Sequence, residues 1–200
     1  MMNSFINPAW DDKYIYLTSN KKSFEKLCFA VYNLFQSYLA YCKGSECSNE
    51  ESLHKTMQKI FQFPDYYGKN KMALNECIND LEWLWSYDMN IIFDENQGKQ
   101  AIKTIFFLIE DFEKMFQNEQ NQYQCISDFI ALLCKTKEKW ERGSCFSPWD
   151  LSYPVFFKIH LHCMQGYTQI HQAIERGIAD FNQSRNFCIK EIENYQDMSE

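Results

Sequence analysis

Apolar residues recur at helical spacing through most of the chain. Phe24, Leu27, Cys28, Val31, Tyr32, Leu34 and Phe35 share one face and predict a helix over 22–35. Leu53, Met57, Ile60 and Phe61 form the inner face of a second helix. Pro64 stops it by fixing its own φ and pushing Phe63 into an extended conformation. Ser48 with Glu51 reads as its capping box. A third helix is predicted from Lys71 to Leu84, with Ala73, Leu74, Cys77, Ile78, Leu81 and Leu84 inward. Its other face carries Met72, Glu76, Asn79 and Trp83, with Asn75 and Asp80 beside them. Ile102, Ile105, Phe106, Ile109, Phe112, Met115 and Phe116 predict a helix over 97–116, followed by a polar loop at 117–122. Ile126, Phe129, Ile130, Leu133 and Trp140 predict another over 123–140. From Gln165 the chain reads as helical again, through Ile170, Ala173, Ile174, Ile178 and Phe181. Beyond a break at 182–186 the same reading extends over Phe187, Cys188, Ile189, Ile192 and Tyr195.

Short apolar runs bounded by polar or turn residues read instead as strands. Ser37–Cys42, Met89–Phe93 and Val155–Cys163 are three such runs, and Tyr14–Leu17 is a fourth, shorter candidate. Strands alternating with helices favour parallel pairing through right-handed crossovers. The expected architecture is therefore α/β: a small three-stranded parallel sheet packed with helices, plus extra N-terminal and C-terminal helical segments. At 200 residues the chain suits one domain spanning 1–200. Its body runs from about 37 to 163, preceded by an extension at 1–36 and followed by a helical extension at 164–200. Met1–Asp12, with Pro8 and Trp10, reads as an arm lying on that body.

Composition narrows the class. With 46% hydrophobic and 17% aromatic residues the chain is expected to fold rather than stay disordered. No apolar run approaches the ~20 residues that a membrane helix needs. Met1–Trp10 lacks the basic and apolar regions of a signal peptide, so the expected location is the cytoplasm. The nine cysteines are odd in number, scattered and without a C-x-x-C pair, which reads as reduced, mostly buried thiols and no structural zinc. A net charge of −7 argues against a nucleic-acid partner and suits a basic protein partner.

Candidate catalytic residues are sparse. His160 and His162 alternate along a strand beside Cys163 and are expected at a strand end, solvated or bonded to backbone. His54 and His171 are expected on helix surfaces. Asp94-Glu95 and Glu110-Asp111 are expected on solvated faces, because adjacent side chains point apart. There is no phosphate-binding glycine loop and no G-x-S-x-G elbow. The sequence therefore assigns no catalytic residue, metal or cofactor, and the expectation is a non-enzyme.

The most distinctive stretch is Phe63-Pro64-Asp65-Tyr66-Tyr67-Gly68-Lys69-Asn70, an aromatic turn feeding the helix that starts at Lys71. Gly68 is expected to take a positive φ and Asn70 to cap the helix. This stretch, with Ala73-Leu74 and Glu76-Cys77, resembles the signature segment of the barstar family. Glu51-Ser52-Leu53-His54 before it and Asp80-Leu81-Glu82-Trp83-Leu84 after it resemble the family too. The close likeness covers about Ser48 to Leu84, and the order of elements extends it to about Cys163. Barstar-type proteins are cytosolic inhibitors of secreted ribonucleases of the barnase type.

The resemblance implies an immunity or antitoxin protein that plugs the active site of a cognate nuclease toxin, most simply a basic ribonuclease, in a 1:1 complex. It implies a partner surface formed by Tyr66, Tyr67, Lys69, Met72, Asn75, Glu76, Asn79, Asp80 and Trp83. Within it, Tyr66 would stack on the enzyme's catalytic histidine, and Glu76 would enter the phosphate site. Three positions depart from the pattern. Met72 stands where an acid is common, Asn75 where a Trp occurs, and Lys69 follows the glycine. These changes weaken the mimicry of RNA, point away from barnase itself, and keep a non-nuclease partner as the alternative. An exposed aromatic face also leaves a homo-oligomer open.

Overall fold

The structure, a computed structural model, describes residues 13–34, 36–81, 83–86, 102–142, 155–181 and 186–193. Five parallel strands form one sheet in the order β2-β3-β4-β1-β5. They are β1 (Tyr14–Thr18), β2 (Ser37–Lys43), β3 (Thr104–Glu110), β4 (Phe156–His162) and β5 (Cys188–Glu191). The helices are α1 (Lys21–Tyr32), α2 (Glu50–Ile60), α3 (Lys71–Ile78), α4 (Trp83–Ser86), α5 (Gln122–Glu141) and α6 (Tyr167–Phe181). The parallel α/β architecture is the expected one, but the sheet has five strands, not three. β1 lies between β4 and β5, pairing Ile15 with Ile159 on one side and Ile189 on the other. The expected strand at Met89–Phe93 lies outside the described residues.

Two segments expected as helix are strand. Thr104–Glu110 is β3, a central strand flanked by β2 and β4. Its run Ile105-Phe106-Phe107-Leu108-Ile109 is buried on both faces, so every position is apolar and the run fits either period. Cys188–Glu191 is the short edge strand β5 rather than a continuation of the C-terminal helix. The cap of α2 also falls one residue later than expected. Asn49 accepts from the Ser52 backbone N–H, and the Ser52 hydroxyl accepts from the Asn49 N–H.

One sheet face packs against α2, α3, α5 and α6. Ile105, Phe107, Phe157, Ile159 and Ile15 meet Met57, Ile78, Ile130 and Ile174 there. The other face is covered by α1, whose Phe24, Leu27 and Val31 lie on Tyr16, Phe106 and Leu108. Alternation along β4 sends His160 and His162 to this second face. Both are fully buried there rather than solvated, and His162, the last residue of β4, is bonded to backbone through the Asp111 N–H. The His160 ring stacks on Tyr16 with centroids 4.7 Å apart, and His162 lies 5.5 Å from Phe24. Burial, reinforced by Lys158 and Lys137, pushes the His160 imidazole well below its ordinary value. Burial also lowers His162, against the opposing pull of Asp111, Glu113 and Glu110.

Gly177 sets the closeness of α6 to α5. A Cβ at this position would stand 2.3 Å from the Ser127 carbonyl oxygen and 2.9 Å from Ile130 Cβ. Alanine would gain about 1 kcal/mol of helix propensity, yet the obstacle is backbone and cannot rotate away. Gly177→Ala is therefore expected to destabilise the fold by about 1–3 kcal/mol net, read from urea unfolding.

The buried histidines set a second expectation. Their folded values lie below the ordinary 6.5, so the unfolded chain takes up protons first as pH falls. Stability is full above about pH 6.5 and declines below it, by up to about 1.4 kcal/mol per pH unit for each histidine. Unfolding measured from pH 7.5 to 5 should show that slope, and His160→Phe should reduce it by about one proton. An unchanged slope would mean that His160 charges freely in the folded protein.

Candidate functional site

The aromatic turn is built by interrupting two helices in quick succession. α2 ends at Ile60, and Gln62 turns the chain through φ 52°. Phe63 then re-enters the core, its N–H donating to Gln58 O at 2.9 Å. The Tyr67 N–H closes the next turn on Pro64 O, also at 2.9 Å. The positive φ falls on Lys69, at 49°, and not on Gly68 as expected. Gly68 serves close approach instead, since a Cβ there would meet Asn70 Nδ2 at 3.1 Å. Asn70 caps α3 as expected, its Oδ1 accepting from the Ala73 N–H at 3.0 Å.

Aromatic donors hold this segment from behind by satisfying carbonyls that the helix ends leave orphaned. The Tyr38 hydroxyl donates to Ile60 O at 2.5 Å, and Trp83 Nε1 donates to Phe61 O at 2.8 Å. Trp140 Nε1, from α5, donates to Ile78 O at 3.0 Å at the end of α3. Phe63 packs edge-on against both Tyr67 and Trp83. The Tyr67 hydroxyl lies 2.5 Å from Nδ1 of His54. His54 is thus buried in α2 and not on its surface. Burial lowers its imidazole pKa, partly offset by Glu50, and burial raises the Tyr67 phenol.

The expected partner residues divide into two groups. Tyr66 is 77% exposed and Met72 75%, and Lys69, Glu76 and Asp80 are exposed as well. Met72 and Glu76 stand one turn apart on the same side of α3, with half-buried Asn75 between them. Tyr67, by contrast, is 5% exposed and Asn79 4%. The expected helix through Leu84 stops at Ile78. Asn79 becomes its C-cap, and its Nδ2 donates to Asn75 O at 2.6 Å. Leu81 then takes φ 50°, which restarts the chain in a new direction as α4. That break swings Trp83 off the polar side of α3 and packs it, half-buried, against the core. The exposed charges of the segment are mixed, with Asp65, Glu76 and Asp80 beside Lys69 and Lys71.

The remaining candidates are structural. Glu110 is buried, not solvated; it accepts from the Tyr41 hydroxyl and pairs with Lys21 Nζ at 2.8 Å. Burial pushes its carboxyl up, but Lys21, Tyr41 and Lys43 together hold it below the ordinary value. Asp111 is held low chiefly by Lys114, 2.8 Å away, and its N–H donates to His162 Nδ1 at 3.3 Å. His171 lies half-buried, 3.4 Å from Glu191 and 3.5 Å from Glu175. Cys145, Asp94 and Glu95 lie outside the described residues. The other eight cysteines are unpaired thiols. Among the described residues no group of His, Cys, Asp and Glu is placed to hold a metal, and no helix is long and apolar enough to cross a membrane.

A parallel sheet thus carries a braced turn and helix that expose a tyrosine and a methionine beside carboxylates. Residues 38–128 match the family model Barstar, described as barstar (barnase inhibitor), and this part of the chain is similar to that family. The match runs from β2 into α5 and contains the whole aromatic turn and α3. No curated protein and no solved structure matches the chain.

The tie between Tyr67 and His54 carries its own test. Tyr67→Phe leaves the buried Nδ1 without its partner, and is expected to cost about 1–3 kcal/mol in chemical denaturation. Loss of no more than a few tenths would mean that water replaces the hydroxyl.

Proposed function

We propose that the protein is a cytoplasmic immunity or antitoxin protein that inhibits a cognate nuclease toxin, most simply a ribonuclease, as a stoichiometric plug without catalysis of its own. The observation that carries this reading is the family's signature segment standing as a rigid, exposed turn and helix, with Tyr66 and Glu76 at its surface. A rigid surface binds with little ordering cost. A carboxylate on such a surface can take the place of an RNA phosphate against basic groups of an enzyme, and the chain's net charge of −7 favours fast association with a basic partner. Tyr66, Lys69, Met72, Asn75, Glu76 and Asp80 are the residues proposed to touch the partner. Tyr67, Asn79 and Trp83 act mainly by holding them in place. Met72 and the two lysines shift the target away from a purely phosphate-shaped site, toward an enzyme with an apolar spot opposite Met72.

The same departures favour a second reading, in which the domain binds a partner that is not a nuclease. The two are separated by co-expressing the chain with the neighbouring reading frame and scoring growth and RNA integrity. Under the leading reading the neighbour degrades RNA and this protein prevents it. Glu76→Ala and Tyr66→Ala should each weaken the purified complex by about 2–5 kcal/mol while leaving thermal stability unchanged, because both side chains are exposed. Rescue that survives both substitutions would move the contact surface elsewhere on the chain. A neighbour without nuclease activity that still binds would favour the second reading.

A further inference from the structure

A cleft of about 230 Å³ opens between α2, α3 and α5. Its walls are Leu53 and His54 of α2, Leu74 of α3, Phe116, and Phe129 and Leu132 of α5. Glu50, Lys71 and Asp128 stand exposed at its mouth. An apolar cavity of about 150 Å³ already admits a benzene ring, so a single substituted ring fits this space.

The polar feature of the cleft is His54. Its side chain is only 3% exposed, and its Nε2 is buried without a hydrogen-bond partner. Nδ1 is engaged by the Tyr67 hydroxyl at 2.5 Å. A buried phenol has one hydrogen to place, and Nδ1 is the acceptor in reach, so the imidazole hydrogen sits on Nε2. That N–H has Glu50 Oε1 as its nearest carboxylate oxygen, at 3.8 Å, too far for a hydrogen bond. Glu50 and His54 both line the cleft, and Nε2 is the ring nitrogen that lies within 4 Å of Glu50. A buried donor left unmade is costly, and a ligand that supplies its acceptor recovers that cost.

One chemical group satisfies the whole arrangement. A hydroxyl oxygen beside Nε2 would accept from His54 and donate its own hydrogen to the Glu50 carboxylate, while the ring that bears it fills the apolar walls. We propose that this cleft is a binding site for a hydroxyaryl ring, a phenol, held by His54 and Glu50. The ring comes either from a free small phenol or from a tyrosine side chain presented at the mouth, and both use the same contacts. The site is independent of the nuclease reading.

The test titrates the full chain with p-cresol, toluene and N-acetyltyrosinamide, following amide shifts by NMR. p-Cresol is expected to shift resonances of α2, α3 and α5 and to bind about tenfold more tightly than toluene, the difference made by the hydroxyl pair. Glu50→Ala should remove that advantage while leaving toluene binding intact. Leu132→Phe, at a half-buried position, should block both ligands without unfolding the protein. If N-acetyltyrosinamide binds as well as p-cresol, the mouth admits a polypeptide and the tyrosine source is supported. If only p-cresol binds, free phenols are supported. Equal binding of toluene and p-cresol, or no shift with p-cresol at its solubility limit, overturns the proposal.

Discussion

The structure depends on the parallel pairing of β1 with β4. A parallel sheet must be covered on both faces, since each interior strand turns side chains to both. β1 brings Ile15 and Leu17 to the large core and Tyr16 to the smaller one. It also brings α1, which follows it directly and supplies Phe24, Leu27 and Val31 to the smaller core. Without that strand, His160 and His162 would face water, and the rings stacked on them would have no floor. The residues flanking the barstar match thus provide one face of the sheet with its only helix among those described, and provide three of its five strands.

The proposed partner surface is braced from the opposite face. A turn that leaves α2 and enters α3 within ten residues exposes several carbonyls that neither helix can satisfy. Tyr38 and Trp83 donate to two of them, from β2 and α4, and Trp140 of α5 donates to Ile78 O at the far end of α3. The Trp83 indole, which the sequence places among the contact residues, is occupied in this way. What remains outside is a smaller set, with Tyr66, Met72 and Glu76 at its centre.

Much of this was legible in the chain, and the failures have physical causes. The helix faces of α1, α2, α5 and α6, the strands β2 and β4, and the Asn70 cap follow from spacing and capping chemistry. β3 does not, because a strand buried on both sides loses the alternation that marks a strand; Ile105, Phe106 and Ile109 then fit a helix equally well. β5 fails for length, since four residues carry too little pattern to override a neighbouring helix. Trp83 and Asn79 were read from a period carried past Ile78, where the helix ends. Asn79, directly after Ile78, is the one local sign of that end; Leu81, which takes the left-handed conformation there, has no conformational reason of its own to do so. The turn and its cap were therefore legible from Phe63 to Ala73, while which neighbouring side chains stay exposed depends on tertiary contacts that spacing does not encode.

The strand order has a consequence for how the molecule is made. A ribosome releases β1 before any of the other strands, yet both of its neighbours, β4 and β5, are synthesised after everything that lies between. Its hydrogen-bonding edges have no strand partner until β4 and β5 have been made. Such non-local closure is slow and leaves sticky intermediates exposed. β2, α2 and α3, by contrast, follow one another closely, so the surface that would meet a partner can assemble while the sheet is still missing its central strand. Chaperone demand during translation should then centre on β1 rather than on the turn and α3.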